Sequence, residues 1–262
     1  MSMPLRSAWQ VTWSVWRALF IRDAMGRLFG RRAAWLWILA EPVLQIGFMI
    51  LIFTTISIRQ VGGIDAAVWL MVGFLGFFMF RRTLTLSMAA VQMSKVLFTY
   101  RQVKPVDTVL VRGATEGLLM LVISVLILLV GALFKLPVLP EQPLLVLISM
   151  FALWYMAMGF GLLLSIPRVL VKEIENLVNL ILTPLYFISG VLVSVDVIPL
   201  PYRNILIANP VSHAIDSLRA GFSTTYQPFH EMSLFYCFVV GTVCTCLGLM
   251  LHRVYAQRLI EL

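Results

Sequence analysis

The feature that most constrains this sequence is a set of six long apolar runs, at residues 35 to 57, 64 to 80, 110 to 134, 143 to 166, 176 to 195 and 234 to 251. Each run contains at most two charged residues, and as a helix each would roughly match hydrocarbon about 30 Å thick. Only 12% of the chain is charged, against about 25% in soluble domains. The sequence therefore predicts an all-α membrane protein with six transmembrane helices.

Positive charge is distributed unevenly among the loops. With a cytoplasmic N-terminus, sixteen of the twenty Lys and Arg residues lie on the cytoplasmic side, and the exceptions are Arg59, Lys135, Arg203 and Arg219. The positive-inside rule then predicts a multi-pass membrane protein with both termini in the cytoplasm. The net charge of +8 is thereby assigned to loops beside spans rather than to nucleic-acid binding.

The N-terminal 34 residues precede the first apolar run and form a separate predicted unit. Trp9, Trp13, Trp16 and Phe20 follow one another at helical spacing, and arginines supply a cationic complement. This pattern predicts a cytoplasmic amphipathic helix at the membrane interface, joined to a six-span domain at residues 35 to 262. The alternative is a stripe that packs against the protein.

Glu41 interrupts the first apolar run. A carboxylate in a span is costly, so it is normally turned towards protein or water, and Gln45 lies on the same helical face. We expect this face to meet other helices or a substrate pathway, although a carboxylate near a span end can also reach back to the interface. Arg81 and Arg82 follow the second run directly and are the predicted partners of Glu41. Alternatively, these arginines bind an acidic polymer or a lipid phosphate.

The fourth and fifth runs supply further candidates for a substrate pathway. Polar residues at helical spacing form one stripe of the fifth run, namely Asn176, Asn179, Thr183, Tyr186 and Ser189. Such a stripe favours a conduit for a hydroxylated substrate, or alternatively hydrogen bonds between helices. Trp154 and Tyr155 lie near the middle of the fourth run, where they would stack on sugar rings or simply pack.

A long outer segment, residues 196 to 233, separates the last two runs. In it NPVSHAIDSLRAG predicts a short surface helix with Asn209 as N-cap, Pro210 in the first turn and Gly221 at the end. The preceding VIPLPYRNILIA is too short to span and predicts a re-entrant or interfacial piece. Together they are predicted to cap an exit on the outer side, and their candidate residues are Tyr202, Asn209, Pro210, His213, Asp216 and Arg219.

Several chemical motifs are missing from the sequence. There is no G-x-x-x-x-G-K-[ST] phosphate loop, no H-E-x-x-H and no G-x-S-x-G. We therefore expect no catalytic residues, no metal site and no cofactor in this chain. His213 and Asp216 are three residues apart but lack a nucleophile. The three cysteines have no zinc or disulfide spacing and are interpreted as packing residues.

The cytoplasmic segment KVLFTYRQVKPVD, residues 95 to 107, combines aromatic, basic and proline residues and predicts an exposed helix and turn that docks on a partner. The blocks LFTYRQVKPVDTVLVR, WLWILAEPVLQIGF and NPVSHAIDSLRAGF resemble the permease subunits of ABC type-2 polysaccharide exporters, in particular capsule exporters of the KpsM kind in Gram-negative bacteria. The resemblance extends over nearly the whole chain.

The resemblance implies a homodimer of six-span permeases with two copies of a separate ABC ATPase, which binds the ATP and Mg. Lipid-linked capsular polysaccharide would cross the bacterial inner membrane between the permeases, and the two short outer helices at residues 196 to 233 would form the periplasmic gate. A periplasmic adaptor and an outer-membrane channel would complete the path. The segment at residues 95 to 107 would receive the ATPase stroke, through Phe98, Tyr100, Arg101, Gln102, Lys104 and Pro105.

Other functions make different demands on the sequence. A membrane-embedded enzyme requires acid, base or metal ligands clustered at one depth, and the sequence shows no such cluster. A passive assembly subunit requires neither a polar stripe nor a docking turn. A related exporter of O-antigen or teichoic acid would share the same spacing of spans and remains an alternative.

Overall fold

The computed structural model describes residues 8–29, 34–56, 59–100, 102–192, 199–229 and 231–261. The predicted helical fold class is confirmed, with a 3₁₀ helix at Lys95–Thr99 and two short strands, β1 (Gln60–Val61) and β2 (Ile64–Asp65). The α-helices are α1 (Ala8–Phe29), α2 (Ala34–Thr55), α3 (Ala66–Met93), α4 (Pro105–Leu133), α5 (Pro143–Leu170), α6 (Glu173–Ile188), α7 (Leu200–Ala208), α8 (Pro210–Ala220), α9 (Leu234–Val254) and α10 (Ala256–Glu261).

Four helices among the described residues, α3, α4, α5 and α9, are long and apolar enough to cross a membrane. The apolar part of α2, Leu39–Thr55, is shorter, and α6 has 16 residues, or about 24 Å of length. The predicted bounds 176 to 195 are wrong, because α6 begins at Glu173 and ends at Ile188. A count of six spans therefore stays a prediction for α2 and α6.

The second predicted run, residues 64 to 80, is only the first half of α3. This helix continues to Met93, so Arg81 and Arg82 lie within it rather than at its end. Two causes explain the difference. Leu84 and Met88 extend the hydrophobic core past the arginines, and carboxylates of neighbouring helices neutralise Arg82.

A small antiparallel hairpin precedes α3 and was not predicted from the sequence. Strand β1 pairs with β2, and Gly62 and Gly63 join them with φ angles of 58° and 81°. Two consecutive positive φ angles suit the tight turn of a two-residue hairpin, which glycine adopts without strain. Asp65 then accepts a hydrogen bond from Ala67 N at 2.9 Å and caps α3.

Close packing of α4 against α5 depends on a small residue at the contact. A Cβ at Gly117 would overlap the indole of Trp154 on α5, and this indole also donates to Gly113 O at 2.8 Å. The Gly113-x-x-x-Gly117 pair therefore has the packing role expected of small residues in membrane helices.

Helix α1 lies along the first half of α4. Leu19 is buried, Trp16 and Phe20 are half-buried, and Trp9 and Trp13 are exposed. The aromatic stripe is therefore partly covered by protein and partly free. Its placement at a membrane interface stays a prediction.

Candidate functional site

The coupling segment forms a tight turn between α3 and α4. The 3₁₀ helix Lys95–Thr99 is followed by a bend at Tyr100, where Tyr100 N donates to Leu97 O at 3.0 Å and Val103 N donates to Tyr100 O at 2.9 Å. The predicted helix and turn is present, but Arg101 lies outside the described residues.

Side chains of the coupling segment divide into an outer surface and an inner anchor. Val96 is 82% exposed and Tyr100 is 67% exposed, and Gln102 and Lys104 are exposed beside them. Phe98 and Pro105, in contrast, are buried. These two residues therefore hold the turn in place rather than present a docking surface.

Asp107 joins the coupling segment to the N-terminal helix. Its Oδ2 accepts from Lys104 N at 3.2 Å, which caps the start of α4, and its Oδ1 accepts from Trp16 Nε1 at 2.8 Å. One buried carboxylate therefore joins the end of the coupling segment to α1.

Glu41 contacts Arg82, as predicted, through Arg82 Nη1 and Glu41 Oε2 at 3.1 Å. Arg82 also donates from Nε to Glu116 Oε1 at 2.8 Å. The Glu41 side chain is 51% exposed, whereas that of Glu116 is completely buried. Arg82, on α3, therefore connects α2 to α4 by pairing with the half-exposed carboxylate of Glu41 and the buried carboxylate of Glu116.

The ion pairs continue from Glu116 into α1. Arg27 contacts Glu116 and lies 3.5 Å from Asp23 through its Nε, and Asp23 in turn contacts Arg112 on α4. Burial, followed by repulsion from Arg112, lowers the pKa of Arg27 to about 10, so this arginine stays protonated at neutral pH. Three acids and three arginines form the chain, which we call the ion-pair chain: Glu41, Arg82, Glu116, Arg27, Asp23 and Arg112.

The other polar candidates near Glu41 are placed differently. Arg81 is exposed and forms no ion pair with a described residue, so Arg82 is the partner that the structure selects. Gln45 is half-buried one turn after Glu41, and Pro42 is buried between them. The face that carries Glu41 and Gln45 therefore remains a candidate pathway surface.

The polar stripe of α6 is divided between solvent and protein. Asn179 and Thr183 are exposed, while the ring of Tyr186 packs against Phe74 and Phe77 at centroid distances of 5.4 and 5.3 Å. Tyr186 is therefore part of the contact with α3, and the two smaller polar residues remain on the free face of α6.

Trp154 and Tyr155 make internal contacts. Trp154 donates to Gly113 O, and Tyr155 Oη lies 3.2 Å from Thr242 Oγ1 on α9 while its ring stacks with Phe151 at 6.2 Å. Packing, one of the two roles considered for this pair, is thus observed directly. Both side chains keep some exposed area.

Capping of α8 follows the sequence pattern. Asn209 Oδ1 accepts from Val211 N at 3.0 Å, Pro210 opens the helix and Gly221 ends it. Asn209 also donates from Nδ2 to Ser189 Oγ at 2.9 Å, which ties α8 to the end of α6. The side chain of Tyr202, on the preceding helix α7, lies outside the described residues.

The prediction that α8 lies at a surface is wrong, because every residue from Val211 to Ala220 is buried. The helix packs among α3, α5 and α9. Its polar side chains tolerate burial because each has partners. His213 accepts from Ser233 N at Nδ1 and lies 2.6 Å from Ile207 O through Nε2, an arrangement that requires the neutral Nε2–H tautomer.

Asp216 and Arg219 also have structural partners. Asp216 accepts hydrogen bonds from the Tyr226 hydroxyl and from Phe229 N, whereas the His213 ring contacts Ile207 O and Ser233 N. Arg219 donates to Gly190 O and Val191 O, both at 2.7 Å, and lies over the ring of Trp69 at 3.5 Å. Arg219 thereby clamps the turn after α6 to α3 and α8.

Four members of the ion-pair chain were missed as site residues: Asp23, Arg27, Arg112 and Glu116. A usable signal existed, because Asp23 with Arg27 and Arg112 with Glu116 are opposite charges four residues apart. The second pair lies at the start of the third apolar run, where charged side chains normally face protein or water.

Metal ligands and cysteines were also checked against the geometry. Within the described ranges, no group of three or more His, Cys, Asp or Glu side chains is close enough to hold a metal ion. Cys237 and Cys244 are buried and suit packing roles, whereas Cys246 is exposed.

This sequence is similar to known membrane transport proteins. Residues 14–223 match the family model for ABC-2 type transporters. Two Escherichia coli proteins named polysialic acid transport protein KpsM are 28% and 27% identical over 259 residues, which cover 97% of this chain and 98% of each relative. The capsule polysaccharide export inner-membrane protein CtrC of Neisseria meningitidis is 21% identical over 217 residues, which cover 80% of this chain and 81% of CtrC.

The family match extends from α1 to the residues just after α8 and includes the coupling segment and the whole ion-pair chain. Four membrane-length helices among the described residues agree with a multi-pass transport subunit. This chain therefore belongs to the ABC-2 type transporter family.

Proposed function

We propose that this chain is the permease subunit of an ATP-driven exporter that moves lipid-linked capsular polysaccharide across the inner membrane. Two copies would form the channel, and two copies of a separate ABC ATPase would bind ATP and Mg below it. The proposal is supported by the relatives, whose names refer to polysialic acid transport and capsule polysaccharide export. Both termini would be cytoplasmic.

The observation that carries the proposal is the coupling segment, an exposed turn that buried side chains hold against the membrane helices. Val96 and Tyr100 project from a segment whose Phe98 is buried and whose end is fixed by Asp107. A turn of this kind transmits force well, because load on its surface passes directly into α4 and, through Trp16, into α1. A separate ATPase is the partner that suits this role.

The translocation pathway would be lined by Asn179 and Thr183 on the free face of α6, and by Glu41 and Gln45 on α2. Amides and hydroxyls replace water around a sugar at low energetic cost. Arg81, which is exposed and forms no ion pair with a described residue, would attract the negative charge of the polymer or of its lipid phosphate. A second permease copy would complete the channel wall.

On the opposite side, α7 and α8 would form the periplasmic gate, and a periplasmic adaptor with an outer-membrane channel would receive the polymer. The burial of α8 within the bundle suits this role, because a change in α3 or α5 would reach α8 directly. The Arg219 clamp would hold the turn after α6 in one position.

The test is co-expression of the chain with an ABC ATPase encoded beside it. Replacing Tyr100 and Arg101 with Ala should abolish polysaccharide export and lower co-purification of the ATPase, while the membrane helices stay folded. Phe134→Ala is the matched control, since this aromatic side chain is also exposed but lies at the far end of α4. Unchanged co-purification and export in the double variant would overturn the coupling role.

A further inference from the structure

Two neighbouring grooves form a continuous apolar track on the outer face of α4 and α5. One has a volume of about 410 Å³ and includes Gly117, Leu121 and Trp154, and the other, of about 450 Å³, includes Trp13 and Met158. Ala114 lines both grooves. From Leu110 to Leu121 the track follows α4 for about 16 Å at the helical rise per residue.

The track presents hydrocarbon and almost no unsatisfied polar group. The Trp154 indole donates to Gly113 O and the Trp16 indole donates to Asp107, so neither N–H is available to a ligand. Apart from these indoles, the polar groups among the residues that line the track are the Trp13 indole N–H and the Arg17 guanidinium, both on α1. An occupant of the track must therefore be a long apolar chain.

Arg17 lies at the α1 end of the track, so one end of the track is charged and the rest is apolar. Its side chain is exposed, and it forms no ion pair with a described residue. Indole rings beside a guanidinium group are typical of the headgroup level of a bilayer, and the rest of the track descends along two membrane-length helices. The arrangement matches a molecule with an anionic head and a hydrocarbon tail.

We infer that this track binds one anionic phospholipid, with its phosphate at Arg17 and one acyl chain in the groove past Ala114. The lipid would fill the space between α1, α4 and α5 and would fix the N-terminal helix at the cytoplasmic interface. This inference needs only the membrane setting of the helices, so it does not depend on which substrate is exported.

The test uses native mass spectrometry of the purified full chain with phosphatidylglycerol or with phosphatidylcholine of the same acyl length. We expect one phosphatidylglycerol to be retained with occupancy about fivefold above that of phosphatidylcholine, as a single cation beside an anionic headgroup allows. Arg17→Gln should remove this preference. Arg22→Gln is the matched control, because it removes an exposed charge from the same helix away from the track.

A second variant tests the acyl groove without altering charge. Ala114→Phe should lower retention of both lipids, and Ala132→Phe, at another exposed alanine of α4, should not. Equal losses in Arg17→Gln and Arg22→Gln would overturn the headgroup assignment. Full lipid retention in Ala114→Phe, or a second copy of the chain bound where the lipid should be, would overturn the groove assignment.

Discussion

Arg82 Nε donates to Glu116 Oε1 across 2.8 Å, although the Glu116 side chain has no exposed area. A buried carboxylate is tolerated only when its charge is compensated, and Arg27 contacts its second oxygen. The stability of this part of the molecule therefore depends on keeping all three charges together.

We first predict that Glu116→Gln destabilises the protein far more than Glu41→Gln. Removing the buried acid takes from Arg82 and Arg27 the one carboxylate that they share and should cost about 3–5 kcal/mol, whereas the half-exposed Glu41 should contribute at most about 1 kcal/mol. Thermal unfolding of the purified variants in one detergent measures the difference. In a double-mutant cycle with Arg82→Gln, purely additive losses would show that Glu116 and Arg82 do not act as a pair.

A second prediction concerns Asp107. Asp107→Asn should reduce export more than it reduces ATP hydrolysis, because the amide has one acceptor oxygen where the carboxylate has two for Lys104 N and Trp16 Nε1. The reconstituted complex reports both rates. Trp16→Phe should reproduce part of the defect, and equal losses of transport and hydrolysis would argue against a role in transmission.

The third prediction concerns the free face of α6. Single cysteines at Asn179 and Thr183, in a background lacking Cys237, Cys244 and Cys246, should react with aqueous thiol reagents in membranes. Cysteines at Leu180 and Ile181 should stay silent although these side chains are 70% and 52% exposed in the isolated chain, because we expect lipid to cover them. Reaction at 180 and 181 alone would place the water-filled pathway on the other side of α6.

Fourth, Arg219→Gln should lower the free energy of unfolding by about 3 kcal/mol, because two buried carbonyls lose their donors at ~1–3 kcal/mol each. Arg219→Lys should be intermediate, since an ammonium group lacks the planar fork that reaches both Gly190 O and Val191 O. Arg253→Gln, an exposed arginine on α9, is the control. Equal melting temperatures for Arg219→Gln and Arg253→Gln would exclude a stabilising clamp.

A fifth prediction is a pH dependence at the α4–α5 loop. The hydrogen bond from Thr224 lowers the pKa of Glu141 below its usual 4.5, and Thr224 N lies 2.6 Å from Glu141 Oε2. The folded pKa is the lower one, so the contact is complete above the unfolded value and is lost as the pH falls through the folded value. Amide exchange at Thr224, corrected for the intrinsic rate, should lose protection only below about pH 4.5 and, in Glu141→Ala, at every pH.

The sequence predicted the helical class and most of the apolar cores of the spans, because runs of uncharged residues are a local property. It was wrong about the end of α3, since the charge of Arg82 is compensated by residues on other helices. It was also wrong about the surface position of α8, whose amphipathic pattern hides the fact that His213, Asp216 and Arg219 all have internal partners. Local patterns cannot show whether a polar side chain meets water or a distant carbonyl.

The candidate site shows the same limit. Glu41 and its partner Arg82 could be predicted because both interrupt apolar sequence. Glu116 was assigned only to the start of a span, because its burial depends on α1 packing beside α4. Exposure of Tyr100 followed from the composition of the turn, but the inward position of Phe98 depends on a buried cluster to which α3, α4, α5 and α10 all contribute.

The contacts of α1 also have a consequence for how the chain is assembled. Asp23 and its partner Arg112 are separated by 89 residues, so the N-terminal helix leaves the ribosome long before α4 exists. During that interval its charges must be held by water and lipid headgroups, and docking of α1 becomes a late event in biogenesis. A chain that fails to insert α4 would therefore leave Asp23 without Arg112 and Arg27 without Glu116.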